Sequence, residues 1–388
     1  MGKLRRTAVA LVLMLFCTSA HALAYSVLAH EAVIDEAWTA QVVPLLRQRF
    51  PTVSAEAIRN ARAYAYGGSL IQDLGYYPFG SHLFTNLVHY VRSGDFVAAL
   101  VRDASTVDEL AFALGALAHY ASDNEAHPVA VNRALPIMYP KLHAKFGDRV
   151  LFVDSPGRHV MVEFAFDVLQ VARGTFKADA YQDLIGFEVS KPLLERAFLE
   201  TYGLELKDVF GDVDLAIGTY RHAASTIIPD ITRSAWREKR KEILAATPDV
   251  TEANVVYSMT TADYEKKYGT AYRKPGLFAR FVVMVFKVLP KFGPFRPLAF
   301  TPLNTETERM FLDSFDRSCE RYRVLLGAVR DRRLSFADTD LDTGKTPSPG
   351  VNRLADKTYV DLLKKLTKKK LVIPAALREH GGQGVRPR

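Results

Sequence analysis

The chain has almost no cysteine. Its 388 residues include only Cys17 and Cys319. Cys17 falls in an N-terminal stretch that we expect to be removed, so the mature chain would keep one thiol and have no intrachain disulfide. A disulfide-stapled fold is therefore excluded. Stability must come from a buried core, which a chain of this length is able to form.

The sequence also lacks an apolar run long enough to cross a membrane, which needs about 20 residues. The run 8–16 follows three basic residues and precedes the small-residue site Ala22-Leu23-Ala24, the arrangement of a secretory signal peptide over residues 1–24. The most apolar stretch after it, 277–289, is too short and carries two basic residues. We therefore expect export, into the periplasm or out of the cell.

An acidic excess is missing as well. The formal net charge is +8, and removal of the signal peptide takes away three basic residues and no acidic one, which leaves +5. A mild basic excess suits an anionic substrate or an anionic membrane surface, but it requires neither.

Histidine, by contrast, is concentrated in one part of the chain. Seven of the ten histidines lie between His30 and His159. His159 is followed four residues later by Glu163, so both side chains share one face of a predicted helix. Solvation of a surface does not explain this concentration, because the chain is otherwise rich in lysine and arginine.

The most informative stretch runs from His119 to His127, at the end of an alanine-rich segment that begins near Asp108 and predicts a helix. Asp123 lies midway, so two imidazoles and a carboxylate are spaced four residues apart on one face. A divalent metal such as zinc selects these ligands, and one carboxylate between two histidines is able to bridge two ions. Pro128 is expected to end the helix.

Further candidate ligands lie upstream. A helix predicted over residues 55–66 ends at Gly67-Gly68, and Asp73 follows, with His82 and His89 as alternative partners for it.

The N-terminus offers another set. Cleavage after Ala24 would expose the α-amino group of Tyr25, which titrates near ~8 and chelates a metal together with its own carbonyl. His30 lies five residues further on, near the start of a predicted helix, and is able to ligate the same ion.

In their order along the chain these residues resemble the zinc-dependent phospholipase C superfamily: the bacterial phospholipases C, the N-terminal domain of glycosylphosphatidylinositol-specific phospholipase D and, more distantly, the fungal single-strand nucleases. The resemblance covers about residues 25–170. It rests on Tyr25, His30, Asp73, His89, His119, Asp123, His127, His159 and Glu163.

Two features depart from the family pattern. Tyr25 stands where the best-studied members have tryptophan, which has no effect if only the amine and carbonyl bind metal. Three residues separate Asp123 from His127, where five are usual. Three is the spacing of the phospholipase D-like branch, so substrate details of the toxins and nucleases do not transfer.

The resemblance implies an all-α fold and three zinc ions. One ion would be held by Asp73, His89, His119 and Asp123, with His89 preferred to His82. The second would be held by His127, His159 and Glu163, and the third by the Tyr25 terminus, His30 and the other oxygen of Asp123. Asp73 would also orient the attacking water.

The predicted organisation is a signal peptide at 1–24, a helical phospholipase C-like domain at 25–235 and a helical extension at 236–388. The extension contains a proline-rich connector after 277–289 and a flexible tail. The stretch 277–289 is either a buried helix or a lipid-docking element.

The expected function is that of an exported zinc-dependent phosphodiesterase, of phospholipase C type. Its partners would be phospholipids or other phosphodiesters, with peripheral membrane contact. One alternative is a nuclease or nucleotidase on the same zinc core, the only case in which nucleic acid is expected. The other is a zinc-retaining, non-catalytic surface-binding protein.

Overall fold

The structure is a computed structural model. It describes residues 27–172 (side chains to 167), residues 187–221, residues 304–374 and isolated positions at 236, 237, 240, 241, 244, 251, 252 and 377. The predictions for the signal peptide, Tyr25, the stretch 277–289, the proline-rich connector and the C-terminal tail lie outside these residues. The proposed domain boundary at residue 235 also stays a prediction.

The described residues are built from α-helices joined by short turns and contain no β-strand, which confirms the all-α prediction. The helices are α1 Val27–Ala37, α2 Val43–Arg49, α3 Ala55–Ile71, α4 His82–Tyr90, α5 Ser93–Asp103, α6 Val107–Ala126, α7 Asn132–Met138, α8 Pro140–Phe146, α9 Pro156–Ala172, α10 Lys191–Tyr202, α11 Leu206–Val209, α12 Thr305–Arg330 and α13 Arg353–Lys368. Shorter helical turns cover Trp38–Val42, Gln72–Tyr76, His127–Val131 and Phe152–Asp154.

Helix α6 lies at the centre of the fold. Thr106 begins it, because the Thr106 hydroxyl accepts a hydrogen bond from the backbone N–H of Glu109 at 3.1 Å. Every residue from Leu110 to Asn124 is buried. A helix buried on all sides has neighbours on all sides. Its alanines let them approach closely, so the ligands on it are enclosed by protein.

Helices α3 and α6 touch backbone to backbone. A Cβ atom on Gly68 would lie 1.8 Å from the carbonyl oxygen of Phe112, and one on Gly115 would lie 1.9 Å from that of Ala65. The prediction that α3 ends at Gly67-Gly68 is therefore wrong, since the helix continues to Ile71. Glycine is needed there for close approach, not for termination.

The chain remains helical beyond α6. The α-helix itself ends at Ala126, as Pro128 predicts, but a π-helical turn follows over His127–Val131 and leads into α7. Pro128 is the second residue of this turn and has no N–H to donate, so the α-helical hydrogen-bond pattern stops there. His127 consequently stays close to the face that carries Asp123.

The C-terminal part of the described chain packs on this core. This part contains α12 and α13. Tyr322 on α12 donates a hydrogen bond to the carbonyl of Leu114 at 3.1 Å. Between the two helices, residues 336–345, which we call the strap, run over the ends of α4 and α6. In the described part of the chain no helix is long and apolar enough to span a bilayer.

Candidate metal centre

The structure brings eight predicted site residues into one buried cluster. They come from six elements: α1, the turn before α4, α4, α6, the π-helical turn and α9. Each is no more than 5% exposed. These residues are His30, Asp73, His89, His119, Asp123, His127, His159 and Glu163. The ninth predicted ligand, Tyr25, lies outside the described residues.

The first group joins Asp73, His89 and His119. Nε2 of His89 lies 3.4 Å from an oxygen of Asp73 and 3.1 Å from Nε2 of His119. The possible ligand atoms of these three residues, each on a different element, therefore converge on one point.

Backbone carbonyls fix the orientation of both imidazoles in this group. Nδ1 of His89 donates to the carbonyl of Thr85, and Nδ1 of His119 donates to the carbonyl of Ser69, each at 2.8 Å. A carbonyl only accepts, so Nδ1 carries the proton in both rings. In the neutral rings two Nε2 lone pairs then face each other, which repels unless a cation lies between them.

Asp123 connects this group to the others. Its Oδ2 lies 3.0 Å from Nε2 of His119 and 3.4 Å from Nε2 of His89. Its Oδ1 lies 3.5 Å from Nε2 of His30 and 3.9 Å from Nε2 of His127. The two oxygens of one buried carboxylate thus face two different sets of imidazoles, as a bridging ligand must.

The other end of the cluster is formed by His127, His159 and Glu163. Oε1 of Glu163 lies 3.1 Å from Nε2 of His127 and 3.0 Å from Nε2 of His159. His159 and Glu163 are four residues apart on α9, so this pair is the predicted one-face arrangement.

The donor set and its spacing fit zinc. Three groups, each with nitrogen and carboxylate atoms within 4.8 Å of one another, occur in the described residues: His30 with His119 and Asp123, and the two groups above. A tetrahedral zinc with bonds of about 2.0–2.2 Å separates its ligand atoms by about 3.3–3.6 Å. The close pairs here are 3.0–3.5 Å apart.

The carboxylates control the pKa values of two histidines. Burial opposes protonation of His89, but the carboxylates of Asp123 and Asp73 outweigh it and raise the pKa to about 9. Burial is likewise outweighed at His127, where Asp123 and Glu163 raise the pKa to about 10. Without metal both rings hold a proton at neutral pH, so metal binding must displace it.

The pKa values of three other members also shift. Burial alone would raise the pKa of Asp123, yet His119 and His127 hold it well below its usual range. Burial raises the pKa of Asp73 and is only partly offset by His119. Burial and then His119 lower the pKa of His30. At neutral pH Asp123 is ionised and His30 is neutral, the states in which both bind metal.

Of the two histidines that the sequence left as alternatives, the structure brings only His89 into the cluster. His82 is exposed at the start of α4, and its ring centre lies 6.2 Å from that of Tyr76. His89 is buried on the opposite end of the same helix. Its assignment as a ligand stays a prediction that this arrangement favours.

Sequence reasoning missed several residues around the cluster. Asp167 accepts hydrogen bonds from the backbone N–H groups of Leu28 and Ala29, at 2.8 and 3.2 Å, and so fixes the start of the helix that carries His30. Its position four residues after Glu163 was a usable signal. The carbonyl groups that orient the imidazoles carry no signal in the sequence.

Comparison with known families gives one match. Residues 29–212 match the family described as zinc dependent phospholipase C. This range contains all eight clustered residues, whereas α12, the strap and α13 lie beyond it. No curated protein and no solved structure matches the chain.

Proposed function

Because residues 29–212 belong to the zinc-dependent phospholipase C family, we propose that the protein is an exported zinc-dependent phosphodiesterase that hydrolyses phospholipids in the manner of a phospholipase C. The family match and the groups of possible metal ligands support a domain of a zinc phospholipase-type hydrolase. The substrate, the reaction and the export are the proposal.

The position of Asp123 is the main support for this proposal. The two oxygens of Asp123 face separate sets of imidazoles, at 3.0–3.4 Å on one side and 3.5–3.9 Å on the other. A carboxylate that binds only one ion has no need of this arrangement, whereas closely spaced metal ions suit the displacement at a phosphodiester.

The ligands would divide as the family resemblance implies. Asp73, His89, His119 and Oδ2 of Asp123 would hold one ion, and His127, His159 and Glu163 a second. His30 and Oδ1 of Asp123 would hold a third together with the amine of Tyr25. Bound zinc supplies Lewis-acid chemistry, lowering the pKa of water and neutralising phosphate oxygens.

The charges of the chain's own residues support an anionic substrate. With metal bound the imidazole ligands would be neutral, and Asp73, Asp123 and Glu163 would contribute three negative charges. Divalent ions, about three in number, exceed this charge and leave a cationic centre for a phosphodiester. Asp73 faces His89 through Oδ1, at 3.4 Å, and its other carboxylate oxygen would be the one to orient a water molecule.

Export is proposed from the sequence of residues 1–24. A processed Tyr25 terminus would lie two residues before α1, the helix that carries His30. Cleavage would then complete the third set of ligands, so that the enzyme becomes fully active only after secretion.

The test is turnover of a short-chain phosphatidylcholine by the zinc-loaded mature protein, with single-stranded DNA as the competing substrate. We expect release of the phosphorylated headgroup, and its loss on chelation. Asp73→Asn should lower the rate, because it removes the charge of a metal ligand and of the group that would orient the water.

Two outcomes would contradict the proposal. Chelator-sensitive cleavage of DNA without cleavage of phospholipid would favour the nuclease alternative. A fully zinc-loaded protein that hydrolyses neither would favour the non-catalytic binding protein. His143→Ala is the control, because His143 is exposed and pairs with Asp148 away from the cluster.

A further inference from the structure

The strap, residues 336–345, lies beyond the part of the chain that matches the family, yet it packs directly on the metal-centre helices. Tyr120 on α6 donates to the carbonyl of Ala337 at 2.7 Å, and Ser93 donates to that of Thr339 at 2.6 Å. The backbone N–H of Leu341 donates to the carbonyl of His89 at 3.1 Å. The strap is thus tied to the elements that carry the ligands.

The turn within the strap is held by its own aspartates. Oδ1 of Asp340 accepts from the N–H groups of Asp342 and Thr343, at 3.0 and 3.1 Å. Its Oδ2 accepts from the side chain of Asn352 at 2.7 Å. Gly344 has a φ of +67° and packs where a Cβ would lie 2.7 Å from the carbonyl of Asn124. This geometry fixes residues 341 and 342.

The turn brings two groups to the far side of His127. The carbonyl of Leu341 lies 3.1 Å from Nδ1 of His127 and accepts a hydrogen bond from it. Oδ1 of Asp342 lies 3.9 Å from the same nitrogen. Because Nδ1 keeps its proton, Nε2 of His127, which faces Glu163, is the nitrogen left for a metal ion.

Asp342 is itself held in place. Its Oδ2 accepts from the backbone N–H of Phe152 at 2.9 Å, and its carbonyl accepts from the side chain of Asn132 at 2.7 Å. Its Oδ1 is buried and accepts no hydrogen bond. A buried, anchored carboxylate with a vacant acceptor beside an imidazole N–H is suited to stabilise that proton and make the ring more basic.

We propose that the strap is part of the metal centre: the Leu341 carbonyl and the Asp342 carboxylate position His127, and the site formed with His159 and Glu163 is complete only when this C-terminal segment is docked. The inference rests on the proposed zinc site. It assigns a role to the chain beyond residue 212, and it makes Asp342 a positioning residue that does not touch the ion.

The experiment measures zinc binding by the full-length mature protein in competition with a chromogenic chelator, using zinc alone as the probe. Asp342→Asn keeps the size of the side chain but removes its charge. We expect one of the bound zinc ions to bind roughly tenfold more weakly, the usual effect of losing an outer-shell partner, while the others are unchanged.

Asp338→Asn is the matched control. Asp338 is in the same strap and accepts from the backbone N–H of Asp95 at 3.0 Å, a bond that an amide oxygen preserves. Zinc binding by this variant should equal that of the original protein. Equal zinc affinity in Asp342→Asn would overturn the proposal, and so would equal weakening in both variants, since that would reflect the docking of the strap alone.

A second measurement does not depend on a variant. In the zinc-loaded protein with ¹⁵N-labelled histidine, NMR should show His127 bound through Nε2 with a slowly exchanging proton on Nδ1. Binding through Nδ1 would overturn the proposal even if Asp342→Asn failed to fold. Both readouts are independent of turnover, so a protein that binds zinc but hydrolyses no phosphodiester would refute the proposed function and leave this inference intact.

Discussion

The two ends of the metal centre are built in different ways. In the group of Asp73, His89 and His119, the carbonyls that orient the imidazoles lie 4 and 50 residues from the histidines. In the group of His127, His159 and Glu163, the carbonyl that orients His127 lies 214 residues away. The carbonyls that orient the first group lie within residues 29–212, whereas the carbonyl that orients His127 lies outside them.

The group of His127, His159 and Glu163 is therefore expected to open before the other. A contact that closes a long loop is lost when the distant segment undocks, and local opening follows such segments. The first group would survive undocking of the strap, because its supports are on α3 and α4. The second group would lose the orientation of His127.

Complete metal removal should have the largest effect, because it empties both ends. An ion present at 1,000 times its Kd stabilises the folded state by about 4 kcal/mol. For a chain of this size, whose unfolding entropy is about 0.8 kcal/mol/K, that corresponds to a drop of roughly 5 °C in melting temperature for each ion removed. Calorimetry with and without chelator measures this change in melting temperature. An unchanged melting temperature after verified metal loss would show that bound metal does not stabilise the fold.

Asp123→Asn should remove the link between the two ends. Since each oxygen faces a different set of histidines, we expect loss of more than one zinc per chain and a fall in phosphodiesterase rate on the order of 100-fold or more. Metal analysis and turnover measure this. Glu125→Gln is the control on the same helix, because Glu125 pairs with Arg321 outside the cluster; full metal content in Asp123→Asn would rule out the bridge.

His159→Ala should empty only the second end. His159 faces Glu163 at 3.0 Å and lies in none of the other metal-binding groups among the described residues. One zinc should be lost and the first group retained. His143→Ala, at an exposed position, should lose none. If His159→Ala lost all bound zinc, the two ends would not be separable.

A change of pH should have the smallest effect. The pKa of His89 is raised to about 9 and that of His127 to about 10, so each ring holds a proton that zinc must displace. Zinc affinity should therefore rise with pH, by roughly tenfold per unit for each displaced proton, from near neutrality until the ring's own pKa is reached. His30, with a lowered pKa, adds no such dependence. Isothermal titration between pH 6 and 8 measures the slope, and a flat profile would contradict it.

The sequence predicted the parts of the centre that depend on local geometry. The spacing of four residues placed His119 with Asp123, and His159 with Glu163, because side chains four apart share a helix face.

What the sequence did not predict depends on tertiary contact. Gly67-Gly68 suggested the end of a helix, because the sequence alone does not show that α3 packs closely against α6. The contact between His127 and Leu341 likewise joins residues that are far apart in the sequence. No local pattern specifies a partner 214 residues away.

The backbone contact between α3 and α6 has a consequence for which ions the centre accepts. Ser69 on α3 holds the ring of His119 on α6, and the glycines nearby leave no space for the helices to move closer and no side chain to cushion them apart. The position of the His119 ring relative to α3 is therefore set by main-chain geometry. Calcium, with longer bonds of about 2.3–2.6 Å and a need for six to eight oxygens, would have to force this interface open, so the packing itself acts as a filter on ionic size.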